Sequence, residues 1–408
     1  MKAAPLIVCI LAMTSLAYAD STGNAKNIRI GALVPISGEW ASNGRQIEAA
    51  LTIGSEDLNK FLGDLGSNNR IVLVVEDTKT SPAQALEKLK TLREQGIKIV
   101  IVGSTSAELK TMKEYADENG IILISTSSTA PSLANPGDNI IRLVTDDSCQ
   151  GKVMAKVLAF HNITDLIPIY RDDLWGQDLL NATRKSFEAK SGIAAKGVAY
   201  KPNSTSYSAE VKALGAEVKN ASAVYGKDRV GVYLVSFDEG AGIITLAAKD
   251  PILSSVKWFG SDGIANLAEL TQNSTLAQFA IKTSFITPVY AGEEGSPLCA
   301  NLSKAIMTIT GSEPNAYAIT AYDALWMAAE AELLAGNGNT SQLRVAFEQI
   351  ANNYCGATGR TMLNEAGDRV FADYALLEIK KNDKGYFWKK VGMYYADFNE
   401  TGLEWTNK

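Results

Sequence analysis

The chain has 408 residues, with 39 Lys and Arg against 45 Asp and Glu and a single histidine, His161. The slight acidic balance and the lack of a basic block exclude an ordinary nucleic-acid partner, and one histidine excludes a multi-histidine zinc centre and leaves a Ser-His-Asp triad resting on that residue alone. The length exceeds what one hydrophobic core usually serves and points to two domains.

At the N-terminus Lys2 precedes a short apolar run that ends at Ala17-Tyr18-Ala19, the pattern of a secretory signal peptide cleaved after Ala19. The alternative is a membrane anchor, but the run is shorter than the roughly 20 residues a spanning helix needs. Residues 1–19 are therefore expected to be removed, with the mature chain beginning at Asp20 in the periplasm or on the outer cell surface. Cys9 lies within the removed segment and lacks the Leu-Ala-Gly setting of a lipid-modified cysteine. Cys149, Cys299 and Cys355 remain, which allows one disulfide and leaves one thiol over.

From residue 28 short apolar runs alternate with amphipathic stretches. Residues 28–36 read as a strand, and after Gly44 the positions Ile47, Ala50, Leu51, Leu58, Phe61, Leu62 and Leu65 share one helical face. A strand at 71–75 follows. Ser81-Pro82-Ala83-Gln84 then supplies an N-cap, a proline at the first helical position and a capping-box glutamine. A strand at 97–102, a helix to Asn119-Gly120 and a strand at 121–124 complete repeated β/α units, which call for a parallel sheet with helices on both faces. The alternation resumes after Asp146-Asp147, with a helix through Phe160, a strand at 166–170, a helix at 174–191 and further pairs up to a strand at 257–259. Helices are expected at 316–335 and 342–350. The tail changes character, with strands 374–381 and 386–394 joined through Asn382-Asp383-Lys384-Gly385 as a hairpin. The fold class is α/β, in two doubly wound parallel-sheet lobes.

Eight Asn-x-Ser/Thr sequons occur, at Asn162, Asn181, Asn203, Asn220, Asn273, Asn301, Asn339 and Asn399. They suit a glycosylated surface protein or, equally, a polar surface rich in Asn and Thr. Neither a Gly-x-Ser-x-Gly elbow, a Gly-x-x-x-x-Gly-Lys loop nor a Gly-x-Gly-x-x-Gly fingerprint is found, so no enzyme class and no cofactor is indicated. His161, in a polar turn, reads as a surface residue.

Four loops that follow strands are rich in hydroxyls, aromatics or acid: 35–40, 103–106, 125–131 and 259–263. In parallel sheets ligands bind beyond the carboxyl ends of the strands, where the N–H groups of following helices favour anions. Hydroxyls at helix starts are also ordinary caps.

A family resemblance rests on Ile30-Gly31-Ala32-Leu33-Val34-Pro35-Ile36-Ser37-Gly38, the stretch 102–106, the Ser-x-x-x-Thr-Ala-Pro core within 124–133, Tyr170-Arg171-Asp172-Asp173-Leu174-Trp175-Gly176, the stretch 258–263 and Ala321-Tyr322-Asp323-Ala324. In this order and spacing the chain resembles the Leu/Ile/Val-binding protein family, the branched-chain amino-acid type of periplasmic binding protein. The resemblance implies two lobes, 27–146 plus 287–355 and 147–286 plus 356–408, joined by crossovers near Thr145-Asp146, Thr287-Pro288 and Gly356, with the ligand in the cleft. It implies that Ser106 and Thr129 serve the ligand carboxylate, that the backbone at Ser127 contacts the ligand, and that Asp262 pairs with its α-ammonium group. Trp40 and Trp175 fall where cleft-lining side chains lie, as approximately does Phe237. Asp262 is one methylene shorter than the family's common glutamate, and both tryptophans are larger than a Leu, Ile or Val pocket requires. Another amino acid, an amide or an aromatic acid therefore stays open as ligand, and so do a packing role for the tryptophans and a capping role for Asp262. Because the family places both in or beside the first lobe, Cys299 and Cys355 are the expected disulfide partners.

The resemblance implies the solute-binding component of an ABC importer, not an enzyme, working with a membrane permease on an amino acid or related small polar molecule. A sensory receptor of the same fold is the alternative, and a hydrolase on an α/β scaffold a third that lacks its catalytic groups.

Overall fold

The computed structural model describes residues 26–291, 296–336, 338–396 and 401–406. The signal peptide expected at 1–19 and the sequon at Asn399 lie outside the described residues.

The chain opens with β1 (Asn27–Val34), α1 (Ala41–Asp64), β2 (Arg70–Asp77), α2 (Pro82–Glu94), β3 (Ile99–Val102), α3 (Ser106–Asn119), β4 (Ile122–Ser125) and β5 (Ile140–Arg142). The strands form one parallel sheet in the order β2-β1-β3-β4-β5. β3 and β4 are buried at every position, as expected of parallel strands covered on both faces, which is why they read as unbroken apolar runs. α2 starts as anticipated, with Ser81 accepting from the Gln84 N–H and Pro82 in the first turn. The glutamine does not complete a capping box. The Ser81 N–H is already donated to the Thr78 carbonyl, and the Gln84 side chain turns to Glu87.

A second run follows: α4 (Asp147–Phe160), β6 (Asp165–Arg171), α5 (Leu174–Glu188), β7 (Ile193–Ala194), β8 (Val198–Tyr200), α6 (Ser208–Tyr225), β9 (Val230–Val235), α7 (Gly240–Ala247), β10 (Lys257–Gly260), α8 (Ala268–Gln272), α9 (Ser274–Lys282) and β11 (Ile286–Ala291). Next come α10 (Pro297–Thr310), α11 (Ala316–Ala335), α12 (Thr340–Asn353) and the short strands β12 (Cys355–Gly356) and β13 (Gly359–Arg360), and last β14 (Asp373–Asn382), β15 (Gly385–Ala396) and β16 (Thr401–Trp405). The second sheet runs β16-β15-β14-β11-β10-β9-β6-β7, with β8 also on β6. It is parallel from β11 to β7 and antiparallel from β11 through β16. The tail hairpin thus extends the second sheet as an antiparallel edge, and a third strand follows it.

The contacts divide the described chain into two compact units, 26–129, 133–145 and 296–371 in the first, and 130–132, 146–291, 372–396 and 401–406 in the second. Two junctions differ from expectation. β11, expected to begin the return near Thr287-Pro288, stays in the second unit, because it is paired between β10 and β14. The last passage comes after Phe371 and not at Gly356. Buried Asp323 on α11 accepts from the Ala357 N–H, the Thr358 N–H and the Thr358 hydroxyl at 2.7–2.8 Å. Farther on, Arg142 donates its N–H to the Gly367 carbonyl and accepts from Arg369 N–H. These bonds bind 356–371 to the first unit.

The expected Cys299–Cys355 bridge is not formed: Cys149, Cys299 and Cys355 are all partly buried thiols. Cys299 lies in the first turn of α10 and Cys355 on β12, and a shared unit fixes neither the separation nor the Cβ directions that a bridge demands. His161 is also no simple surface residue. It caps α4, and its ring stands edge-on to Trp405 at 5.6 Å and tilted to Phe259 at 5.8 Å.

Candidate functional site

In the first unit β1, β3 and β4 are neighbours, so the loops after their carboxyl ends lie along one edge of the sheet. β3 ends close against α1: a Cβ at Gly103 would come within 2.7 Å of Ile47 Cγ2. The chain then turns through Ser104 into Thr105, the N-cap of α3, and Ser106, its first residue. Thr105 and Glu108 form a reciprocal capping box. Glu108 is buried, and that burial raises its carboxyl pKa against the hydrogen bonds from Thr78 and Thr105.

The loop after β4 is sewn onto this helix start. The Ser127 hydroxyl donates to the Ser104 carbonyl at 2.8 Å, and the Ser128 hydroxyl donates to Ser106 Oγ at 2.9 Å. Ser128 N–H in turn donates to Ser125 Oγ at 3.0 Å. Ser106, Ser127 and Thr129 are all buried. Buried hydroxyls around a helix N-terminus, where the backbone dipole favours negative charge, suit a carboxylate. Behind them Arg142 of β5 forms a buried two-bond pair with Asp368, at 2.6 and 2.5 Å, and points a third nitrogen at the Ser128 carbonyl. Trp40 sits in the loop after β1 at the start of α1. Its backbone N–H donates to Thr80 Oγ1, and its buried ring tilts against Tyr317 of α11 at 5.9 Å.

In the second unit β9 and β10 are neighbours, and their end loops are tied through Ser236 and Ser261 at 3.3 Å. Asp262 opens the short turn after β10 and is buried. Its N–H donates to Gln150 Oε1 at 3.1 Å, and Gln150 Nε2 donates to Asp147 Oδ1 at 3.0 Å. Asp147 and Gln150 belong to α4 and are fully buried. Tyr233 carries a phenol that burial pushes up, with Asp262 and Asp147 adding to the shift.

Trp175 and Phe237 stack at 4.5 Å with their planes 20° apart. Gly263, the residue after Asp262, touches both: an added Cβ would lie 2.8 Å from each ring and 2.5 Å from the Ser236 carbonyl. The structure therefore brings Asp262, Trp175 and Phe237 together in one unit, and Ser106, Ser127 and their hydroxyl network together in the other. Sequence reasoning missed Gln150 and Asp147 behind Asp262, and also Arg171 and Glu239, which pair at 2.7 Å with the Arg171 guanidinium over the Phe237 ring. Asp147 and Arg171 stood inside quoted motifs, whereas nothing local marked Glu239.

The profile of the family described as receptor family ligand binding region matches residues 46–382. The chain belongs to that family. It is 28% identical over 393 residues to an uncharacterized protein of Methanocaldococcus jannaschii, covering 91% of each chain. It is 24% identical over 373 residues to the leucine-, isoleucine-, valine-, threonine- and alanine-binding protein of Pseudomonas aeruginosa, covering 91% of this chain and 95% of that one. Among solved structures, the branched-chain amino acid transporter substrate-binding protein of Streptococcus pneumoniae in complex with isoleucine superposes with a TM-score of 0.70 at 19% identity, over 93% of this chain and 99% of that one. At that identity the likeness fixes the fold, that of the type I periplasmic binding proteins. The family is one of ligand-binding regions, and the Pseudomonas and Streptococcus proteins are named as binding proteins, not as enzymes. Among the described residues no group of His, Cys, Asp or Glu is arranged to hold a metal ion, and no helix is long and apolar enough to cross a membrane.

Proposed function

We propose that this receptor-family chain is the exported solute-binding component of an ABC importer and captures an amino acid or a closely related small polar molecule. The observation that carries the reading is what each unit buries at the ends of its own strands. The first unit offers hydroxyls at the N-terminus of α3, and the second offers the buried Asp262 beside two aromatic rings. A zwitterion taken out of water needs both of its charges answered, because an unpaired buried charge costs several kcal/mol. In this reading Ser106, Ser127 and Thr129 serve the carboxylate, Asp262 serves the ammonium, and Trp40, Trp175 and Phe237 border the side chain. Transport energy comes from a separate permease and ATPase.

A thermal-shift screen of the amino acids, their amides and simple aromatic acids tests it, since a ligand at a hundred times its dissociation constant stabilises by about 2.7 kcal/mol. An amino acid that raises the melting temperature supports the reading, and a response confined to acids without an amino group contradicts it. We also propose that the protein is glycosylated in its own host, because all seven described sequon asparagines are exposed. Glycopeptide mass spectrometry of native material that finds only bare asparagines overturns that.

A further inference from the structure

Arg171, the last residue of β6, is buried and meets three separate pieces of the second unit. Its Nε donates to Asp173 Oδ2 at 2.6 Å, its Nη1 donates to Glu239 Oε1 at 2.7 Å, and its guanidinium lies 3.9 Å over the ring of Phe237. Each acid has a second task. Asp173 is the N-cap of α5, accepting from the Gly176 N–H at 2.9 Å, and Trp175 lies within the turn they close. Glu239 accepts the Tyr200 hydroxyl at 2.7 Å and the N–H of Phe237 at 3.2 Å. Burial alone would lower the pKa of Arg171, but Glu239 and Asp173 outweigh it and hold the guanidinium charged. The phenol of Tyr200 is pushed up by burial and by Glu239, so it stays a donor. Gly176 closes the arrangement, because a Cβ there would strike the Arg171 carbonyl.

One planar cation thus ties the helix cap that carries Trp175 to the loop that carries Phe237. We propose that Arg171 is a positioning residue for ligand selectivity: it locks the Trp175–Phe237 pair against the Asp262 turn and so decides which ligand side chains the second unit accepts. The selectivity part rests on the amino-acid-binding reading above, while the positioning part does not. Lysine keeps the charge but offers one ammonium where the site uses a fork and a flat face, so Arg171→Lys separates geometry from charge.

Two measurements on the full mature chain test this. The near-ultraviolet circular dichroism of wild type minus Trp175→Phe isolates the signal of the stacked indole, and the same difference is then recorded in the Arg171→Lys background without ligand. The proposal expects the signal to lose at least about half its amplitude as the stack loosens; an unchanged difference spectrum overturns it. Titration with L-leucine and L-phenylalanine then gives the ratio of their dissociation constants. Arg171→Lys is expected to change that ratio by about tenfold, the scale at which pockets sort apolar side chains. An equal factor for both ligands refutes the selectivity role and leaves a merely structural one. Glu239→Gln, which keeps the shape and removes the charge, must shift the spectrum and the ratio in the same direction, and it stands in if the lysine variant fails to fold. A wild-type protein that binds neither amino acid refutes the selectivity role together with the function it rests on, while the ligand-free spectrum still decides the positioning role by itself.

Discussion

Glu330 lies on α11 with only 4% of its surface exposed, and its Oε2 has no hydrogen-bond partner among the described residues. Burial pushes its pKa from the ordinary 4.5 up to about 7. The folded state therefore keeps a proton that the unfolded chain gives up from pH 4.5 onward. The stability this carboxyl allows is fully present below its unfolded pKa and is lost as the pH rises through about 7. At roughly 1.4 kcal/mol for each pKa unit, the loss amounts to about 3 kcal/mol by pH 8.5 and roughly 1 kcal/mol at pH 5. Glu330→Gln has nearly the same shape and cannot ionise, so it should stabilise the first unit by about these amounts, far more in alkali than in acid. Melting curves of the two proteins at both pH values provide the assay. A two-unit chain need not melt in one step, so the transition that the substitution moves is the one to compare. An equal difference at both pH values would refute the reasoning, because the effect would then come from packing and not from the proton.

The Arg142–Asp368 pair is buried on both sides, so Asp368→Ala should cost about 3–5 kcal/mol by leaving the buried guanidinium without its counter-charge, and Arg142→Met added to it should recover part of that. A single-variant loss below about 1 kcal/mol in chemical denaturation would contradict a buried, mutually dependent pair. Because Cys149, Cys299 and Cys355 are thiols, a chain lacking residues 1–19 should react at all three sulfurs when unfolded without reductant. Labelling of only one would restore the bridge that the structure lacks.

Much of the fold was legible because parallel strands covered on both faces announce themselves: β3 and β4 are apolar at nearly every position and are bounded by capped helices. The loops at the strand ends were legible for the same reason, and the hydroxyls of 104–106 and 125–129 stand out in the sequence alone. What stayed hidden depends on partners far apart in sequence. Glu239 meets Arg171 across 68 positions, and Asp368 meets Arg142 across 226. No local pattern encodes either meeting. The last passage between units was misplaced for a related reason. The resemblance implied a crossover near Gly356, yet a Cβ there would strike Asp323, whose carboxylate gathers Ala357 and Thr358 onto α11. His161 was misjudged because its polar neighbours in the turn say nothing of Trp405, which arrives on the final strand. The roles given to Trp40, Thr129 and Asp262 came from family resemblance; the structure supplies their burial and neighbours, and their ligand contacts remain part of the proposal.

The most direct test of that proposal is calorimetric titration of wild type and Asp262→Ala, each with the amino acid that shifts melting most and with its deaminated analogue. If Asp262 holds the ammonium, the substitution should weaken the amino acid by about 2–5 kcal/mol, roughly thirty-fold to several-thousand-fold in dissociation constant. The analogue should bind wild type poorly and lose far less, which gives the double-mutant cycle a large coupling term. Equal losses for the two ligands would make Asp262 a structural cap and would contradict the assignment of this protein as an amino-acid binder.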